Sequence, residues 1–340
     1  MPGARIIPAL VAHGGAGAVG PRNERATRRR AMLAAVRLGA KMLRENGSAL
    51  DAVVATVAAL EDHPLFNAGY GSLLNSEGAV EMDASVMMAE PVAGPGIAKI
   101  GRRPVSPHRH DEMEYTVSAG AVAAVSRVRN PIFLARAVME NSPHILMAGA
   151  GAESFARKVG IRLVRPEEMI TERARERWRA AQHRQAATDA GAAARAAMGH
   201  GTVGAVAIDA RGAMAAATST GGVPGKLYGR VGDSGLIGAG TFAHAFGAAS
   251  ATGHGEAIIL TSLCREAVLA LEAGSPSAVA RDAIAEMIDV TGAQAGIILV
   301  DRRGRIGYAH NAASMQVARF DPVGGVRHLA LEPIPKKRGK

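Results

Sequence analysis

Gly201-Thr-Val-Gly-Ala-Val-Ala-Ile-Asp209 is the stretch on which the fold turns. From Val203 to Asp209 the residues are small or β-branched, the pattern of a buried strand. A turn at Ala210-Arg211-Gly212 and a second run of small and β-branched residues from Ala213 to Thr220 complete a predicted β-hairpin. Immediately upstream the character is different. Glu172 to Met198 begins highly charged and becomes rich in Ala, Gly and Arg with weak periodicity, which reads as a helix fraying into a flexible linker that ends at Gly199-His200-Gly201-Thr202.

Thr202 therefore stands at the join between a linker and a buried strand. Taken alone it is a β-branched residue where β propensity is wanted. A threonine hydroxyl is also a poor nucleophile at neutral pH and needs a base. Scission of the Gly201–Thr202 bond would create an α-amino group with a pKa near ~8, placed to take the hydroxyl proton directly or through water. One residue would then be both nucleophile and base.

Working outward, Arg5 to Ala12 reads as a strand entering the glycine turn His13-Gly-Gly-Ala-Gly17. Helical periodicity runs from Glu24 to Asn46 and stops at Gly47, and a second helix, Ala49 to Asp62, follows with Ser48 as N-cap. Strands are predicted at Val80 to Met88, Ser118 to Val125 and His144 to Ala148, and helices from Asn130-Pro131 to Met139 and from Glu153 to Lys158. Ala89 to Glu114, with its prolines, reads as a long surface loop. After the glycine-studded Gly221 to Gly240, single helices are expected over Glu256 to Glu272 and Ser277 to Val290, and a hairpin over Gln294 to Asp301 and Arg305 to Asn311. Helices in pairs between hairpins imply sheets sandwiched by helical layers.

Composition narrows the function. With 48% hydrophobic residues in 340, the chain buries a substantial core, and wholesale disorder is excluded. A single cysteine, Cys264, excludes an internal disulfide framework and a thiolate metal cage. The net charge of +10 could mark a nucleic-acid binder, yet aromatics are only 3% and, Trp178 apart, none interleaves the arginine runs as a stacking platform, so no nucleic-acid partner is expected. No apolar run reaches 18 residues, and the opening residues lack a long apolar core, so a cytoplasmic protein with no membrane partner is expected. The histidines are scattered, and His108 and His110 on the proline-rich loop read as solvated, so no transition-metal site is expected.

Six further segments stand in order around the Thr202 stretch: Val11-Ala-His-Gly-Gly-Ala-Gly17, Pro64-Leu-Phe-Asn-Ala-Gly69, Met82-Asp-Ala84, Thr218-Ser-Thr-Gly-Gly222, Gly229-Arg-Val-Gly-Asp-Ser234 and Ala251-Thr-Gly-His-Gly-Glu256. Together, and with Ala49-Leu-Asp51 and Gly238-Ala-Gly240, they closely resemble the plant-type L-asparaginase/isoaspartyl peptidase family of N-terminal-nucleophile hydrolases over nearly the whole chain.

The resemblance implies an α+β fold, a four-layer αββα sandwich. It also implies autoproteolysis between Gly201 and Thr202 into an α chain, residues 1–201 with a linker over about 172–201, and a β chain, residues 202–340, that together form one domain. Glycine at 201 tolerates the strained backbone of an N-to-O acyl shift. By the same resemblance Thr202 is the nucleophile, Thr220 bonds and orients it, and Thr252 with Gly253 forms an oxyanion hole. Asn67 helps hold Thr202 and its water, and Arg230 and Asp233 grip the α-carboxylate and α-ammonium of an amino acid. The main-chain carbonyls of Leu60, Glu61, His63, Phe66, Ala68 and Tyr70 would surround a structural sodium ion, no catalytic cofactor is implied, and a homodimer of cleaved αβ units is expected.

The implied activity is hydrolysis of the side-chain amide of L-asparagine and of β-aspartyl dipeptides through a Thr202 acyl-enzyme. A glycosylasparaginase-like hydrolase, a taspase-like endopeptidase and a non-cleaving basic binding protein are the alternatives. Departures lie in the length of Ala89 to Glu114, in Val223-Pro-Gly-Lys226 and in Gly235, where the family more often has proline; these bear on substrate preference.

Overall fold

A computed structural model describes residues 6–18, 21–92, 98–100, 103–105, 114–185 and 201–335. The first half of the chain contributes strands β1 (Ala9–Gly17), β2 (Met82–Val92), β3 (Ala98–Ile100), β4 (Arg103–Val105), β5 (Glu114–Val125) and β6 (Leu146–Ala148). Its helices are α1 (Arg22–Arg44), α2 (Ala49–Glu61), α3 (Pro131–Asn141), α4 (Gly149–Lys158) and α5 (Glu172–Gln185). The second half contributes β7 (Val203–Ile208), β8 (Met214–Thr220), β9 (Thr241–His244), β10 (Gly247–Gly253), β11 (Ala295–Asp301), β12 (Ile306–His310), β13 (Ser314–Asp321) and β14 (Gly325–Leu329). Helices α6 (Gly255–Thr261), α7 (Leu263–Ala270) and α8 (Pro276–Thr291) complete it.

Two sheets carry the architecture. An eight-stranded sheet runs β14-β13-β1-β7-β8-β2-β5-β6, and a four-stranded sheet runs β12-β11-β10-β9. Strand alternation sorts their side chains into three apolar layers. Leu10, Ala12, Val203, Ala205 and Ala207 pack on α1 and α2, while their neighbours Val11, Val206 and Ile208 face the second sheet and meet Ile298 and Val300. Ala249, Ala251, Ile297 and Leu299 on the far face of the small sheet pack on α7 and α8. The result is the αββα sandwich, and the abundance of alanine in β7 and β8 lets the layers approach closely. No helix among the described residues is long and apolar enough to cross a membrane.

Helix starts follow side-chain chemistry. Ser48 Oγ accepts from the Asp51 backbone N–H at 3.0 Å and caps α2, as its spacing predicts. Ser275 caps α8 in the same way, with Pro276 in its first turn.

Several expectations need correction. The segment read as a loop from Ala89 to Glu114 includes the end of β2, the β3–β4 pair and the start of β5. Pro91 is tolerated inside β2, which pairs with β8 only as far as Ala89 and with β5 alone thereafter. Residues 93–97, 101–102 and 106–113, with His108 and His110, lie outside the described residues. The single helix expected over Glu256 to Glu272 is broken at Ser262, whose φ of 48° is left-handed and starts a new axis. Glu172 to Gln185 is a docked helix rather than a linker: Trp178 lies on Gly78, Gln182 Nε2 donates to Ser76 O at 3.2 Å, and Arg173 pairs with Glu24 at 3.1 Å. The linker proper, 186–200, lies outside the described residues. Strands β9, β13 and β14 carry too little alternation to be read from sequence.

Candidate active site

The site arises where the layer between the two sheets changes from apolar to polar along the same strands. On β7 the face of Val206 and Ile208 continues to Thr202. On β8 that of Met214 and Ala216 continues to Thr218 and Thr220, and on β10 that of Ala248 continues to Ser250 and Thr252. On β1 the face of Ala9 and Val11 continues to His13, on β2 that of Met87 and Ala89 to Ser85 and Asp83, and on β9 that of Ala243 to Thr241. These polar residues are all buried.

Thr202, 9% exposed, is the member that reaches solvent most. Its Oγ1 lies 3.0 Å from Thr220 Oγ1, which also accepts from the Gly222 N–H at 3.0 Å. The carbonyl preceding it is held as well: Gly201 O accepts from the Asn67 backbone N–H at 3.0 Å. Glycine at 201 is required by close approach. A Cβ there would fall 2.7 Å from Asn67 N, and one on Gly15, whose φ is +100°, would fall 2.7 Å from Gly201 Cα. The Asn67 side chain points elsewhere, accepting from Leu73 N at 2.8 Å and donating to Gly222 O. Its contact with the Gly201–Thr202 bond is made by its backbone.

Past Gly15, the Ala16 N–H donates to Thr252 Oγ1 at 3.2 Å, so the end of β1 bridges Thr202 and the last turn of β10. Thr252 and Gly253 close that strand; Gly253 has φ +145°, and a Cβ on it would strike Ala295. Two residues on, a Cβ on Gly255 would fall 2.7 Å from Arg230 Nη2 and 2.9 Å from Asp233 Oδ1. Arg230 and Asp233 thus converge beside the Thr252-Gly253 strand end. His254 caps α6 through Nδ1, accepting from Ala257 N at 3.4 Å.

The clamp is asymmetric. Asp233 is fully buried with no hydrogen-bond partner on Oδ2, and burial pushes its carboxyl up to about 7 against the pull of Arg230. Arg230 is engaged by Glu256 rather than by Asp233.

Several residues that hold the site carried no sequence signal beyond membership of a motif. Asp83 stands opposite Thr220 and accepts from the Gly232 and Ala124 N–H groups, each at 2.9 Å, tying the Asp233 turn to the β2–β8 pair that carries Thr220. Glu81 accepts from Gly229 N at 2.9 Å and Asn75 Nδ2 at 2.8 Å. Lys226 donates from a buried ammonium to Glu81 O at 3.0 Å, and burial lowers its pKa against the field of Asp83 and Glu81. His13 is driven by burial down to about 3, opposed by the Thr202 backbone, so the ring is neutral at any working pH.

The 60–70 segment fits a monovalent cation. A Cβ on Gly71 would meet Phe66 O and lie 3.1 Å from His63 O, and one on Gly69 would lie 2.6 Å from Glu61 O. The two glycines leave a cradle into which three main-chain carbonyls turn, a neutral set of hard oxygen donors. No group of three or more His, Cys, Asp or Glu side chains able to hold a metal occurs among the described residues.

Comparison with known proteins agrees with this geometry. A family profile described as asparaginase matches residues 6–106 and 114–324. The chain is 39% identical over 328 residues to a human protein named isoaspartyl peptidase/L-asparaginase and 38% identical to one of the same name from Danio rerio, covering 96% of both chains in each case. It is 39% identical over 315 residues to an isoaspartyl peptidase of Salmonella typhimurium, covering 90% of this chain and 93% of that protein.

Proposed function

The chain belongs to the asparaginase family of hydrolases, and from that premise we propose that it cleaves itself before Thr202 and then hydrolyses L-asparagine and β-aspartyl dipeptides. The observation that carries the reading is the hydroxyl of Thr202 at 3.0 Å from Thr220 Oγ1, directly after a carbonyl already held by the Asn67 N–H.

In the first reaction Thr202 Oγ attacks the Gly201 carbonyl carbon. The Asn67 N–H donates to the oxygen on which negative charge develops, the hydroxyl proton passes to the Thr202 nitrogen, and the C–N bond breaks to leave a Gly201 ester on Thr202 Oγ1 that water hydrolyses. The freed α-amino group of Thr202 then serves as proton shuttle for its own hydroxyl. In the second reaction Asp233 takes the substrate ammonium and Arg230 takes the α-carboxylate. Attack by Thr202 on the side-chain carbonyl gives a tetrahedral oxyanion at Thr252 and Gly253, collapse expels ammonia or an amino acid, and water releases aspartate. One such oxyanion donor is typically worth ~3 to 4 kcal/mol.

A sodium ion held by the carbonyls of Leu60, Glu61, His63, Phe66, Ala68 and Tyr70 would neutralise their converging dipoles and stiffen the turn that carries Asn67. The unit we propose is a homodimer of cleaved αβ heterodimers. The clamp on free α groups favours these substrates over internal peptide bonds.

Intact-mass spectrometry with N-terminal sequencing, followed by ammonia release from asparagine, tests the reading. Wild type yields a fragment beginning Thr202-Val203-Gly204 and releases ammonia. Thr202→Ala does neither, and Arg230→Ala is cleaved but loses most turnover. An uncleaved wild-type chain that releases no ammonia overturns it.

A further inference from the structure

Between the two sheets runs a chain of buried hydroxyls that the reaction does not use. His13 Nε2 and Ser250 Oγ lie 3.0 Å apart, and Ser250 Oγ and Thr218 Oγ1 2.7 Å apart. Thr218 Oγ1 donates to Gly240 O at 2.9 Å and accepts from Thr241 Oγ1 at 2.6 Å. Ser85 Oγ lies 2.8 Å from Thr241 Oγ1 and donates to Ser234 O at 2.7 Å. His13, Ser85, Thr218, Thr241 and Ser250 are each 0% exposed, so water cannot substitute for any of these contacts.

The chain joins two functional elements. One end is on the nucleophile side: Thr218 is two residues before Thr220 on β8, and His13 stands opposite Gly204 on β1, where a Cβ on Gly204 would strike both His13 Nε2 and Ser250 Oγ. The other end grips the turn that carries Asp233. Ser234 O and Gly240 O are its anchors, and Gly240 N–H donates to Asp233 O at 3.1 Å. Four hydroxyl protons and the single N–H of neutral His13 supply five of the six contacts. With Thr218 donating to Gly240 O, Thr241 to Thr218 and Ser85 to Ser234 O, the Ser85–Thr241 approach is the contact left without a proton, and the other five impose one donor order on a buried network, which specifies one geometry.

We propose that this relay is a positioning device that sets the Asp233 carboxylate relative to Thr202, with Thr218 and Ser85 as its specificity-determining positions for the α-ammonium group. The inference rests on the proposed function, since it takes Asp233 as the ammonium site. Removing a link should loosen Asp233 while leaving Arg230, whose partner Glu256 lies outside the relay.

Isothermal titration of the cleaved protein with L-aspartate and with succinate, which lacks the α-amino group, tests it. Wild type prefers aspartate. In Thr218→Val, an isosteric change, and independently in Ser85→Ala, aspartate binding weakens at least tenfold while succinate binding changes less than twofold, and Thr218→Ser restores the preference. Equal weakening of both ligands, or no change in either variant, overturns the relay and leaves the proposed function standing. A wild type that binds aspartate no better than succinate strikes the ammonium clamp itself and takes the relay with it.

Discussion

Arg230 donates to Glu256 from two atoms, with Nε at 3.0 Å and Nη2 at 2.8 Å from the same carboxylate oxygen. Glu256 is the more exposed partner, 54% against 17%, so it can swing away while the guanidinium stays. Burial raises the Glu256 carboxyl, yet Arg230 outweighs it and holds the group below its ordinary value. A substrate α-carboxylate must share or displace it. Glu256→Gln is expected to lower KM for asparagine about two- to fivefold at unchanged kcat, in keeping with the ~0 to 1 kcal/mol typical of an exposed pair. Steady-state kinetics decide it. A raised KM would show that Glu256 orients Arg230 instead of competing for it.

Asp233 makes binding pH-dependent. Its carboxyl is pushed up to about 7 by burial, so the free protein carries it increasingly protonated below that pH, when it has no charge for an ammonium group. Once the substrate ammonium is bound, the ionised form is favoured and the pKa falls. kcat/KM is therefore expected to fall tenfold per pH unit below about 7, while kcat holds to lower pH. In Asp233→Asn that acid limb of kcat/KM disappears along with most of the activity. Coincident limbs for the two parameters would place the titration on another group.

How much of this was legible in the sequence depends on where the signal resides. Thr202, Thr220, Thr252, Arg230 and Asp233 sit in short motifs with fixed spacing, and the structure brings them to one end of the inter-sheet layer. Continuous runs of small and β-branched residues made the β7–β8 hairpin readable because each side chain there is buried. By contrast, Asn67 contacts the Gly201 carbonyl through its backbone, which no residue type advertises. Ser85, Thr218, Thr241 and Ser250 look like ordinary β-propensity residues until the two sheets are stacked, since each is bonded to a strand distant in sequence. The break at Ser262 was hidden for a similar reason: nothing about a lone serine inside a helical period announces a left-handed φ.

Gly201 is fixed by its surroundings. A methyl there would lie 2.7 Å from Asn67 N and 2.8 Å from Asn67 Cβ, distances that force the backbone apart. The displacement would pull the Gly201 carbonyl off its donor. Gly201→Ala is expected to slow self-cleavage at least a hundredfold while leaving the fold intact, because the clash sits at the end of a strand and not in its core. Gel time courses on freshly purified protein, with a melting curve on the same sample, check it. Cleavage at the wild-type rate would mean that the Asn67 contact contributes nothing to the step.

Glu61 lies fully buried beneath the nucleophile strand, and its Oε1 accepts from the Ile132 N–H at 3.1 Å at the start of α3. Its Oε2 and the Ser219 hydroxyl are both buried. Burial pushes the carboxyl up to about 8, against the hydrogen bonds of Ser219, Ile132 and Asn130, so at neutral pH it is mostly the neutral acid. The sign for stability follows. Between about 4.5 and 8 the folded chain binds this proton more tightly than the unfolded chain, so the contribution is fully present below about 4.5 and is lost as pH rises through about 8. The slope from one such group is at most about 1.4 kcal/mol per pH unit. Glutamine in its place keeps the acceptor for Ile132 and offers a permanent donor toward Ser219. Glu61→Gln is therefore expected to melt progressively higher than wild type as pH rises from 5 to 8, the difference levelling off above 8. Thermal melts of the two proteins at half-unit pH intervals measure it directly. A difference that stays constant across the range would mean that Glu61 is ionised in the fold throughout.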